Sequence, residues 1–193
     1  PSDTEIPRSP SLEAQIVNLA DEIAYTSHDI DDGIRSGILN SDELVKLSLF
    51  ARAKELSDAS GTEVKSSVIH ILVIDAYSET EKRLKEANIS SLEDVYAAKN
   101  DLIAFSASTT QELKGLREYL FSNFYNSPEV LVNSNKGKEI IQVLFSDYEK
   151  NPPEKVLELQ ERTNGSLDES IKDYIAGMTD NFAMESVSKA SNT

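Results

Sequence analysis

Three side chains set the chemical possibilities of this 193-residue chain. Asp21, Tyr25 and Asp29 follow one another at intervals of four. Four residues advance an α-helix by about 400° and about 6 Å, so the three drift across a sector of roughly 80° and span about 12 Å. A carboxylate, an aromatic ring and a second carboxylate then line one stripe, long enough for a ligand of nucleotide size. Each group also has an ordinary structural role. A carboxylate in mid-helix can be solvated or salt-bridged, and only when shielded from water does it demand a partner or a metal. A tyrosine can pack in a core with its hydroxyl tethered. Spacing alone favours those plainer roles.

The element that must position the stripe is a long helix over about Ser11–Gly37, with Leu12, Ile16, Leu19, Ile23 and Ile30 at helical spacing and Pro10 suited to the first helical position. Within it, Asp29, Asp31, Asp32 and Gly33 invite a calcium-loop reading. That reading fails, because the glycine falls at the fifth loop position instead of the sixth and Asn40 stands where the twelfth should be a glutamate.

Two strings in the chain are more specific than any spacing. The first is Leu12-Glu13-Ala14-Gln15 followed by Asp21-Glu22-Ile23-Ala24-Tyr25-Thr26-Ser27-His28-Asp29-Ile30-Asp31-Asp32-Gly33; the second is Asp173-Tyr174-Ile175-Ala176-Gly177-Met178-Thr179-Asp180. Together they closely resemble the HD-domain deoxynucleoside triphosphate triphosphohydrolases, the dGTPase-like family, and the resemblance runs from about Leu12 to Ala183. It implies that Asp21 is the last ligand of the family's metal set, that Tyr25 stacks on the deoxyribose and disfavours a 2′-hydroxyl, and that Asp29 hydrogen-bonds the 3′-hydroxyl. His28-Asp29 looks like the doublet that names the superfamily, but that doublet belongs upstream, so His28 reads as a helix-surface histidine. Of the expected His, His-Asp and Asp ligands only the Asp is in this chain. The resemblance therefore implies the C-terminal part of a longer enzyme, inactive in isolation, in which a divalent metal ion such as Mg or Mn acts on a dNTP substrate. It also implies a missing N-terminal HD segment and a homo-oligomer. The alternative is a non-catalytic helical interaction or regulatory module that keeps the strings, and a weaker third reading is a nucleotide-binding effector domain without hydrolysis.

Beyond the first helix the pattern is helical throughout. Asn40 and Glu43 have capping-box spacing before a helix of about 42–57, which Gly61 ends. The run Val68–Tyr77 reads as the centre of a helix over about 62–87, since no second strand candidate exists to pair with it. His70 within it reads as a core histidine, and Lys65 and Arg83 as solvated charges before phosphate ligands. Ser90 with Glu93, and Thr109 with Glu112, have capping-box spacing before two further helices. Leu113, Leu116, Leu120 and Phe124 form a clean apolar stripe. A helix over 128–150 with Ile140, Ile141, Leu144, Phe145 and Tyr148 inward ends at Asn151-Pro152-Pro153. A short helix near 154–163 precedes a last one, capped by Ser166 and Glu169, through about Met184. The chain reads as an all-α multi-helix bundle: a lead-in over 1–10, the end of an HD-type core over 11–60, a phosphohydrolase-associated region over 61–185 and a disordered tail over 186–193.

Composition limits the alternatives. There are 34 acidic against 19 basic residues, a net charge of −15, which disfavours nonspecific nucleic-acid binding and anionic membranes. With no cysteine there is no disulfide, thiolate metal site or cysteine nucleophile, which suits a reducing cytoplasm. No apolar run approaches the roughly 18 residues of a membrane span, and the first ten residues do not read as a signal peptide. Glycine-rich phosphate loops, G-x-S-x-G and H-E-x-x-H are absent, and two histidines leave no plausible nucleophile triad.

Overall fold

The computed structural model describes residues 9–190 and the side chains through Ser188. Those residues contain helices and no strand, as the periodicity predicts. The lead-in over 1–10 is described only at Ser9 and Pro10; of the tail expected to be disordered over 186–193, residues 186–190 are instead helical, and the rest of both lies outside the described residues.

The chain divides at Ser127–Pro128 into two compact units. The first holds α1 (Leu12–Arg35), α2 (Ser41–Leu44), α3 (Ser48–Ser60), α4 (Val64–Glu86), α5 (Leu92–Ala97), α6 (Ala107–Leu120) and a π-helical turn (Phe121–Tyr125). Its core is built around Ile30, Phe50, Leu72, Leu113 and Leu116, each at most 1% exposed. The second holds α7 (Pro128–Lys150), α8 (Glu154–Thr163), α9 (Leu167–Ala176) and α10 (Asp180–Ala190) around Leu144, Val156 and Ile171.

Local chemistry explains the boundaries. Ser11, not Pro10, opens α1: its side chain accepts from the Ala14 amide at 3.3 Å, so Pro10 lies outside the helix. The Asn40 cap forms, but α2 lasts four residues before the chain turns at Val45–Leu47 and restarts as α3, so the single expected helix is two. Gly61 ends α3 in the left-handed conformation, φ +69°. The capping box of α5 is Ser91 with Asp94, one residue beyond Ser90 and Glu93. Ser106 caps α6 instead of Thr109, and Asp75 of α4 binds that cap by accepting from the Ser106 amide at 2.9 Å and hydroxyl at 2.7 Å. The Ser166–Glu169 box forms as its spacing predicts. Beyond it, Gly177-Met178-Thr179 divides the expected last helix into α9 and α10, and the Thr179 hydroxyl accepts from the Phe182 amide.

Burial follows the predicted stripes with three corrections. Ile16 is 54% exposed, and the neighbouring Gln15 takes the buried place at 4%. His70 is on the exposed side of α4 with Val73 and Ile74, because the helix buries only the face carrying Ser67, Val68, Leu72 and Ala76. Ile141 is also exposed, although Leu144 and Tyr148, three and seven residues further along α7, are buried.

Gln15 is the main polar tie of the first unit. Its Oε1 accepts from the amides of Leu102 and Ile103, at 2.8 and 3.0 Å. Its Nε2 donates to the Pro10 carbonyl and the Ser9 hydroxyl, at 2.9 and 3.1 Å. One carboxamide thus satisfies two buried amides of the loop before α6 and fastens the start of α1 to it.

Candidate functional site

The core-facing side of α1 carries Ile23, Thr26, Ser27, Ile30 and Gly33, all buried. Helical geometry then turns Asp21 and Tyr25 outward and leaves Asp29 half-buried at the edge. Asp21 has no hydrogen-bond or ion-pair partner among the described residues, which leaves its carboxylate free on the surface. Tyr25 is 65% exposed, a poor position for a ring whose purpose is packing.

Tyr25 and Asp29 line a cleft of about 580 Å³ between α1 and the end of α6, a size suited to a small-molecule ligand. The opposite wall comes from Arg117, Phe121 and Tyr125. Arg117 pairs with Glu22, and the Tyr125 hydroxyl donates to Oδ2 of Asp29. The two contacts occur in the same order along both helices, so the segments run parallel at this seam. Burial, and then the bond to Asp29, push the Tyr125 phenol up to about 12. Tyr125 accordingly remains a donor at neutral pH.

The α6 wall carries a regular spacing, but that spacing does not say which helix it faces. Arg117, Phe121 and Tyr125 repeat the four-residue interval of Asp21, Tyr25 and Asp29, one position round from the apolar stripe. What spacing does not give is the π turn at Phe121–Tyr125, in which the Asn126 amide reaches back to the Phe121 carbonyl at 3.2 Å. Such turns are frequent at functional sites.

The other candidate cations are engaged elsewhere. Lys65 pairs with Asp31 at 3.4 Å. Arg83 holds Glu79 at 2.9 Å and the Asp101 carbonyl at 2.8 Å. A larger groove of about 1070 Å³ beside Arg83 includes Glu79, Glu86, Asp94 and Asp101 in its lining. Arg83 and Lys99 are its cations, and Glu79, Arg83 and Asp94 are held in an ion pair and a helix cap, so size alone does not make it the better site.

Among the described residues no three His, Cys, Asp or Glu side chains come together as a metal site. Asp21 by itself does not make a metal centre. Nor is any described helix long and apolar enough to cross a membrane.

Residues 103–189 match the phosphohydrolase-associated domain. The chain is 34% identical over 185 residues to the deoxyguanosinetriphosphate triphosphohydrolase-like protein of Azoarcus sp. (strain BH72), covering 91% of this chain and 48% of that protein. The protein of the same name from Brucella anthropi is 37% identical over 196 residues, covering 94% and 48% respectively. That from Nitrosomonas europaea is 36% identical over 185 residues, covering 91% and 49%. The resemblance carried by the two strings is thereby borne out, and the chain is a relative of the dGTPase-like proteins over nearly all its length. It spans about half the length of the curated relatives it matches.

Proposed function

We propose that this chain is the C-terminal portion of a metal-dependent dNTP triphosphohydrolase, whose complete form converts a dNTP and water to a deoxynucleoside and triphosphate. Asp21 supplies one metal ligand. Tyr25 packs against the deoxyribose, and Asp29 accepts from its 3′-hydroxyl. A His and a His-Asp doublet outside this chain complete the centre, and a divalent ion held there supplies an activated water and charge neutralisation at the phosphate. The residues 11–60 close the HD-type core, and 61–185 form its associated helical region. We further assign the complete protein to the cytoplasm and to a homo-oligomer. The chain alone is inactive, because one carboxylate does not retain a catalytic metal.

The observation that carries this reading is the outward stripe on α1. Tyr25 and Asp29 line one cleft and the Tyr25 ring is exposed, where a purely structural helix would have packed that ring inward; Asp21 faces solvent on the same helix. The test is metal-supplemented dNTP hydrolysis by the complete protein, wild type against Asp21→Ala, with triphosphate as the measured product. Release by the wild type that drops at least about a hundredfold in the variant supports the assignment. Equal rates, or no release by the wild type, would leave a non-catalytic helical interaction module.

A further inference from the structure

We infer that Tyr125 is a positioning residue for the sugar site: its hydroxyl binds one oxygen of Asp29 and directs the other toward the substrate's 3′-hydroxyl. The inference rests on the reading of Asp29 given above.

An aspartate on an exposed helix side samples several rotamers, and a loosely held acceptor discriminates weakly. Here Asp29 is half-buried, and its Oδ2 accepts from the Tyr125 phenol across the cleft. Oδ1 has no partner among the described residues. The shared carboxylate therefore has one oxygen occupied by the protein and one available to a ligand. A phenol is protonated at neutral pH and a carboxylate only accepts, so Tyr125 is the donor of this pair.

The backbone supports the same role. The Asn126 side chain donates to the Phe121 carbonyl at 2.7 Å and its amide to that same oxygen at 3.2 Å, which closes the π turn from both sides. The widened turn leaves Phe121, Ser122 and Tyr125 all on the cleft wall. One helical repeat earlier, the Arg117–Glu22 pair fixes the register of α6 on α1. A structural tether would need only the second of these contacts. Tyr125 adds a donor aimed at the proposed sugar-binding carboxylate.

The test compares the complete protein with Tyr125→Phe and Asp29→Ala on two substrates, a dNTP and its analogue lacking the 3′-hydroxyl. The readout is the ratio of the two kcat/KM values, in which the folded fraction cancels, so a stability loss cannot imitate the effect. Tyr125→Phe is expected to lower dNTP kcat/KM about tenfold, the scale of one charge-assisted hydrogen bond, while the analogue is unchanged. A wild-type ratio in Tyr125→Phe alongside a collapsed ratio in Asp29→Ala overturns the positioning role alone. A wild type that ignores the 3′-hydroxyl, or an Asp29→Ala protein that still discriminates, overturns the reading of Asp29 and this inference with it.

Discussion

Replacing Gln15 should damage the first unit more than any change on the exposed side of α1. The side chain is 4% exposed and makes four hydrogen bonds, two of them to the amides of Leu102 and Ile103, which are themselves 4% and 8% exposed. Gln15→Ala strands two buried N–H groups, while the Pro10 carbonyl keeps the Ser9 hydroxyl. At about 1–3 kcal/mol for each unsatisfied amide, and with water recovering part of the loss, the expected destabilisation is about 2–4 kcal/mol. With a urea slope of about 2 kcal/mol/M, the transition midpoint falls by about 1–2 M. Helical circular dichroism during urea unfolding measures it. Gln15→Met separates the causes, because it keeps the volume and removes every bond. If Met is close to wild type while Ala is not, packing matters and the hydrogen bonds do not. If both shift the midpoint by less than about 0.3 M, the tie between α1 and the loop is not a source of stability and the reasoning fails.

Two further outcomes follow from local geometry. A Cβ added at Gly33 would lie within 2.6 Å of Leu39 Cγ and still nearer its Cδ1, and Leu39 is buried; at Gly115 of α6 it would meet nothing within 4 Å. Gly33→Ala should therefore lose about 1 kcal/mol, an overpacking cost of about 1–3 less a helix gain of about 1, while Gly115→Ala gains about 1, and equal signs in thermal melts would contradict this. In a phenolate absorbance titration, one tyrosine should ionise late, near 12. Between pH 10 and 12 the unfolded chain releases this proton while the folded chain keeps it, so stability should fall across that window. Asp29→Asn should bring the late ionisation down only partway, because burial is the larger cause.

The α1 wall of the cleft was legible because Tyr25 and Asp29 are local features of one helix. The opposite wall was not, although its spacing is just as regular. Nothing in Arg117, Phe121 and Tyr125 says which helix they will face. Gln15 illustrates the same limit inside the first string: its type is visible, but its partners at Leu102 and Ile103 lie more than eighty residues away.

Helix content, most breaks and the apolar stripes were set by sequence alone, since periodicity, Gly61, Asn151-Pro152-Pro153 and the Ser166–Glu169 box act within a few residues. Where two plausible caps stood close together, tertiary contact chose between them, as when Asp75 bound Ser106. Tertiary structure also decided that Ile16 would face out and Gln15 in, that the π turn would bring Tyr125 to Asp29, and that Lys65 and Arg83 would pair within the chain. The physical reason is range. Helix propensity and capping are short-range energies carried by neighbouring residues, whereas burial and polar pairing depend on which distant surface packs against each helix.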